Sequence, residues 1–105
     1  MPLFFIEHRH TAETCPTRNP DMVRALRAHV DPVSAAGRGI NVLADWANEP
    51  DHHTVFVVET ATQELAEQFA APFAGVGTVA VTMGLTCEQV ASICLGEEQP
   101  PAVSA

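Results

Sequence analysis

The sequence predicts an α+β domain of the ferredoxin-like kind, β-α-β-β-α-β followed by a short C-terminal helix. Three observations carry the prediction. Apolar and β-branched runs alternate with stretches of helical period in that order. A helix-start signal precedes each helical stretch: Asn19-Pro20-Asp21, Thr60-Ala61-Thr62-Gln63 and Thr86-Cys87-Glu88-Gln89. Two of the strands are separated only by the turn Glu49-Pro50-Asp51, as in a hairpin. With 105 residues, 47% of them apolar, the chain has the size and composition of one domain with a sizeable core.

Residues Pro2 to His10 form the first strand, built on Leu3-Phe4-Phe5-Ile6. Thr11 to Asn19 is a loop. Asn19 then caps a helix with Pro20 at its first position and Asp21 in its first turn, and Met22, Val23, Leu26 and Val30 repeat at helical spacing. Asp31-Pro32 ends or kinks that helix, because the residue before a proline is driven out of the helical region. Gly37-Arg38-Gly39 is the exit turn. Ile40 to Ala47 is the second strand and His53 to Glu59 the third, with the β-branched centre Thr54-Val55-Phe56-Val57-Val58. Thr60 is the expected cap of a second helix carrying Leu65 and Phe69 inward and closed by Pro72 and Gly75. Val76 to Met83 is the fourth strand. Thr86 caps a last helix with Val90, Ile93 and Cys94 on one face. The domain is placed at residues 1–95, and residues 96–105, with Glu97-Glu98-Gln99-Pro100-Pro101, are expected to be a disordered tail.

In this element order the sheet runs 4-1-3-2 with both crossover helices on one face. The other face is then bare. Strand one is apolar on both parities, Phe4 and Ile6 on one side and Leu3 and Phe5 on the other, and one helical layer cannot bury both. A second copy of the sheet could cover the open face, so a homodimer is expected. On element order and length, residues 2 to about 94 resemble the dimeric α+β-barrel superfamily. That superfamily includes small monooxygenases, isomerase-like enzymes and chlorite-dismutase-type haem proteins. The resemblance implies a face-to-face dimer of two sheets and carries no catalytic residue onto this chain.

Charge narrows the function classes. Thirteen acidic residues face five arginines and no lysine, a formal charge of −8. Such a chain repels nucleic acid and anionic membrane surfaces. The first residues lack the basic and apolar regions of a signal peptide, and no apolar run reaches the roughly 18 residues of a membrane span. The expected location is the cytoplasm, where three cysteines are free thiols or ligands rather than a disulfide framework.

The densest chemistry is Glu7-His8-Arg9-His10-Thr11-Ala12-Glu13-Thr14-Cys15-Pro16. His8 and His10, two apart on a strand, point to the same face with Cα atoms roughly 6.5–7 Å apart. Cys15 follows where the chain can fold back. Two imidazoles and a thiolate suit a transition metal better than magnesium or calcium. The expected site is His8, His10 and Cys15, with zinc as the first metal and copper and iron as alternatives. Glu7 and Glu13 stand where they could orient an imidazole.

The leading expectation is therefore a small homodimeric transition-metal-binding protein. The alternative is a small enzyme of monooxygenase or isomerase type, with or without a metal, holding a small molecule between sheet and helices; there His8 and His10 act as acid-base or orienting groups. A third class is an interaction module. The remaining candidates are expected to be structural. With strands one and three taken as parallel, His52 and His53 lie far from His10 and belong to the hairpin turn. Cys87, at the start of the last helix, is expected near Met1, and Cys94 in the core. His29 is expected to be a partly buried structural residue, and Trp46 a core or dimer-interface residue.

Overall fold

A computed structural model describes residues 1–100. The elements are β1 (Leu3–Arg9), a single 3-10 turn (Pro16–Arg18), α1 (Pro20–Val30), α2 (Pro32–Ala36), β2 (Asn41–Asn48), β3 (His53–Glu59), α3 (Gln63–Ala74), β4 (Thr78–Gly84) and α4 (Cys87–Cys94). The four strands form one antiparallel sheet in the order β2-β3-β1-β4. This α+β architecture is compatible with a ferredoxin-like fold. Of the expected tail, residues 101–105 lie outside the described residues, and Gly96 to Pro100 follow α4 as a turn, a bend and irregular chain.

One sequence expectation is reversed. β1 pairs with β3 antiparallel, with Leu3 opposite Glu59 and Arg9 opposite His53. The physical reason is the hairpin itself. A crossover through α1 and α2 sets β2 parallel to β1, and the tight turn sends β3 back between them. The start of β3 therefore lies beside the end of β1.

The sheet's covered face carries Phe4 and Ile6 from β1 and Phe56 and Val58 from β3, all buried. Ala66, Phe69, Ala70 and Phe73 of α3 complete the core with Ala35 and Ile40. Burying each of the larger of these side chains contributes about 1.5–3 kcal/mol. α3 fills its side of the layer. α1 does not: its Leu26 and Val30 are only partly buried, and the helix has no fully buried residue. A space is left between α1 and the sheet.

A polar clip holds α1 against α3. His29 Nδ1 faces the Arg38 guanidinium at 2.9 Å, which can only donate, so the ring proton sits on Nε2 and is donated to the Phe69 carbonyl at 2.7 Å. Arg38 also donates to the His29 carbonyl and lies over the Phe69 ring, 6.0 Å from its centroid. His29 is thus the half-buried structural residue expected of it.

Asn19 caps α1, its side chain accepting from the Asp21 and Met22 amides. Asp31 caps α2 immediately after, so Asp31-Pro32 breaks one helix and starts the next. Thr86 and Gln89 form a full capping box on α4. Thr60, the expected cap of α3, is not its cap. Thr62 is, accepting from the Leu65 amide at 3.1 Å, while Thr60 is fully buried and donates to the Gly39 carbonyl at 2.8 Å. Thr60 is still paired to the sheet side through its amide to the Pro2 carbonyl, which leaves two further residues before the helix can begin.

Cys94 is exposed rather than in the core, as are Val90 and Leu95, because α4 leaves the sheet edge and packs little against the rest of the domain. Cys87 follows the β4 strand end opposite Leu3, at the Met1 end of the sheet.

The two threonines provide a test of the helix start. Thr62→Ala should cost about 1 kcal/mol, the loss of one cap. Thr60→Val should cost about 1 kcal/mol, because it removes the hydrogen bond that the fully buried Thr60 hydroxyl makes to the Gly39 carbonyl. Urea unfolding of both variants measures this, and a neutral Thr60→Val would show that the buried hydroxyl is not holding the exit turn.

Candidate metal centre

The end of β1 projects His8 and His10 to the same face, as the strand period requires, and their ring centroids are 5.0 Å apart. The antiparallel pairing with β3 then adds His52. The ladder continues one step past β1, with the His10 amide donating to the His52 carbonyl at 3.1 Å. His52 closes the turn through its own amide to the Glu49 carbonyl at 3.0 Å and has φ 51. It is the one non-glycine residue with positive φ among the described residues. That conformation turns its side chain off the strand path and toward His10, whose ring centroid lies 4.9 Å away.

Cys15 comes from the loop. It caps the 3-10 turn at Pro16–Arg18, which folds the chain back over the end of the sheet. The thiol is buried, with Sγ 2.9 Å from Thr17 Oγ1. The donor atoms of His10, Cys15 and His52 all lie within 4.8 Å of one another. Nε2 of His10 and Nδ1 of His52 are 3.2 Å apart. Two imidazole nitrogens on one tetrahedral zinc would be roughly 3.3 Å apart, from bonds of about 2.0–2.1 Å. The pair already stands at that spacing. Of the residues expected from sequence, the structure brings His10 and Cys15 into this group. His52, assigned to the turn by the parallel reading of the strands, joins them.

His8 lies behind His10 in a file of rings, with Phe73 on its other side at a centroid distance of 5.1 Å. It is 1% exposed, and neither of its ring nitrogens has a hydrogen-bond partner among the described residues. Its Nε2 lies against Gly77. A methyl group at Gly77 would come within 2.9 Å of that nitrogen and would collide with the Arg9 carbonyl, so only glycine allows this approach. Burial lowers the His8 pKa to about 4, with His10 as the second cause and the nearby Phe73 backbone acting the other way. Burial also lowers the His10 pKa, with His52 as the second cause. Both rings are neutral at pH 7, the form in which imidazole binds metal.

His53, one residue on, faces the other side of the sheet. Its Nε2 donates to Glu7 Oε1 at 2.8 Å and its ring meets Trp46 edge to face at 5.2 Å. Glu7 is also bonded to Arg9 at 3.0 Å, so it is committed to the open face of the sheet and not to His8 or His10. Trp46 is half exposed there.

The space beneath α1 is a cavity of about 380 Å³. Val23, Leu26 and Val30 of α1 and Phe56 and Phe73 form its apolar wall, and His8, His10 and Cys15 also line it. Comparison with protein-family models, curated proteins and solved structures gave no match. The site is therefore read from its own geometry. No helix among the described residues is long and apolar enough to cross a membrane.

The buried imidazole makes the metal-free protein acid-sensitive. The unfolded chain takes up a proton near the ordinary histidine value of 6.5, whereas folded His8 resists protonation down to about 4. Stability is at its full value above pH 6.5 and falls as the pH drops from there toward 4, with a further contribution of the same sign from His10. The loss is on the order of a few kcal/mol. Urea unfolding across that range should show it, and His8→Phe should flatten the profile; an unchanged slope in that variant would remove His8 as the cause.

Proposed function

We propose that this chain is a small transition-metal-binding protein whose ligands are His10, Cys15 and His52. The single observation that carries the reading is the convergence of these three donors within 4.8 Å, with two nitrogens already at the spacing of a shared ion. The backbone of His52 supports it. Holding a non-glycine residue at positive φ costs on the order of 1 kcal/mol, and such strain persists where the side chain has work to do. Two neutral imidazoles and a thiolate favour zinc, with copper and iron fitting the same donors. Three protein ligands would leave a fourth position for a small molecule, and His10 and Cys15 both line the cavity that could supply one. A metal-assisted reaction on such a molecule joins the metal-binding reading to that of a small enzyme with a pocket between sheet and helices. In this reading His8 packs behind His10 and positions its ring.

We also propose a ferredoxin-like homodimer formed through the open sheet face. Phe5, Leu43 and Trp46 are about half exposed there or at the β2 edge, and Val55 and Val57 lie between them.

Titration of the metal-free protein with zinc, copper(I) and iron(II) tests the centre. His10→Ala, Cys15→Ser and His52→Ala should each weaken binding by orders of magnitude, with Cys15→Ser also shifting preference away from soft metals. His8→Phe should bind within a few-fold of the parent. His52→Gly is the sharper variant: it should lose the metal while the metal-free fold stays as stable or gains about 1 kcal/mol, because glycine accepts the positive φ without strain. If no metal binds more tightly than roughly micromolar, about −8 kcal/mol, or if the His52 variants bind like the parent, the centre is wrongly assigned.

Sedimentation or light scattering at micromolar concentration should report a dimer, and Phe5→Glu should convert it to a monomer with the fold retained. A parent protein that is already monomeric there would remove the dimer from the proposal.

A further inference from the structure

The cavity beside the metal centre has one feature that the centre does not use. Arg27 lines it, on the α1 face that also carries Val23 and Val30. The other arginines are all engaged: Arg9 with Glu7, Arg24 with Asp21, Arg18 with the Ala12 carbonyl, and Arg38 with His29. Arg27 alone has no hydrogen-bond or ion-pair partner among the described residues. This holds although the chain carries 13 acidic groups against five arginines. Asp31, one helical turn on, and Glu49, across the cavity mouth, are not at ion-pair distance from it.

We infer that the cavity binds a small, mainly apolar molecule bearing a carboxylate, its apolar body against Leu26, Val30, Phe56 and Phe73 and its charge on Arg27. The inference rests on the reading of the cavity as a ligand site, and it deepens that reading by naming the ligand class. Size sets the first limit. A cavity of roughly 150 Å³ holds a benzene ring, so about 380 Å³ accommodates one ring with a short substituent. Lining chemistry sets the second, since an apolar wall with few placed polar groups selects an apolar body and fixes its orientation. Charge sets the third. A guanidinium presents a planar fork that matches a carboxylate, and an unpaired one at the mouth of an apolar cavity is free to take it. Glu49 is the one acid on the lining, and it would repel the same group, so the carboxylate belongs on the α1 side of the mouth.

Three probes of one shape test this: phenylacetate, phenylacetamide and phenethylamine, titrated by NMR against the full chain, both metal-free and zinc-loaded. Phenylacetate should bind saturably and more tightly than its neutral amide, by about five- to tenfold. Arg27→Gln should erase that preference without changing amide binding. Arg27→Lys should keep part of it. Val23→Trp, at the partly exposed edge of the cavity, should reduce binding of all three. Equal binding of acid and amide, tighter binding of the amine, no saturable binding, or an Arg27→Gln variant that behaves like the parent would each overturn the inference. The metal-free arm separates it from the metal centre. Arg27-dependent carboxylate binding without zinc sustains it even where the chain takes up no metal. Zinc binding with no carboxylate preference overturns it and leaves the centre standing.

Discussion

The antiparallel register of β1 on β3 is the constraint on which the site depends. It sets Arg9 opposite His53 and so carries the next pair, His10 and His52, onto one another at the end of the sheet. A slip of one residue would turn His8 and His10 to the open face and Phe4 and Ile6 out of the core. The apolar pattern that drives folding therefore also fixes the imidazoles. Burial of Phe4, Ile6, Phe56 and Val58 contributes several kcal/mol to holding this register, far more than any contact within the site could supply.

Two backbone positions then convert register into a site. Gly77 has no side chain, and the loop before β4 can pass close over Arg9 and His8. His52 adopts positive φ and turns its ring toward His10 instead of along the strand. Both are local departures from what folding alone would favour, and both lie at the same end of the sheet. The cavity has a comparable origin. α3 fills its half of the helical layer with Phe69 and Phe73, whereas α1 is held at its C-terminal end by the His29–Arg38 clip and buries no residue fully.

Much of this was legible in the sequence. The strand runs, the Asn19 and Thr86 caps, the break at Asp31-Pro32 and the bare second sheet face all follow from periodicity and turn chemistry. β3 was placed residue for residue. The same-face geometry of His8 and His10, and the return of Cys15, followed from strand period and loop length. His52 was missed through a single error of direction, the parallel reading of β1 and β3. The hairpin at Glu49-Pro50-Asp51 already held the signal against it, since a tight turn can join only antiparallel neighbours. Thr60 was taken for a cap because Thr60 and Thr62 both suit the pattern, and only the hydrogen bond of the buried Thr60 hydroxyl to the distant Gly39 carbonyl decides between them. The positive φ of His52, the close passage of Gly77 and the incomplete burial of α1 depend on contacts between distant segments, and no local pattern encodes them.

Electrostatics ties the two halves of the site together. The chain's net charge of −8 opposes the approach of polyanions and, by the same field, raises the local concentration of cations. Selection among those cations would fall to donor type, because two imidazoles and a thiolate discriminate against the hard ions that scattered carboxylates would hold weakly. An anionic ligand meets the opposite problem. The overall field opposes its approach, so its recognition must be local and short-ranged, within about one Debye length, roughly 8 Å at physiological salt. In the proposed reading two positive centres would meet that condition at the cavity: a divalent metal, which with two neutral imidazoles and one thiolate would keep a net charge of about +1, and Arg27, which no acid among the described residues pairs with. On that reading an acidic surface around a cationic cavity would admit an anion only where its apolar body fits, and so would couple charge selection to shape.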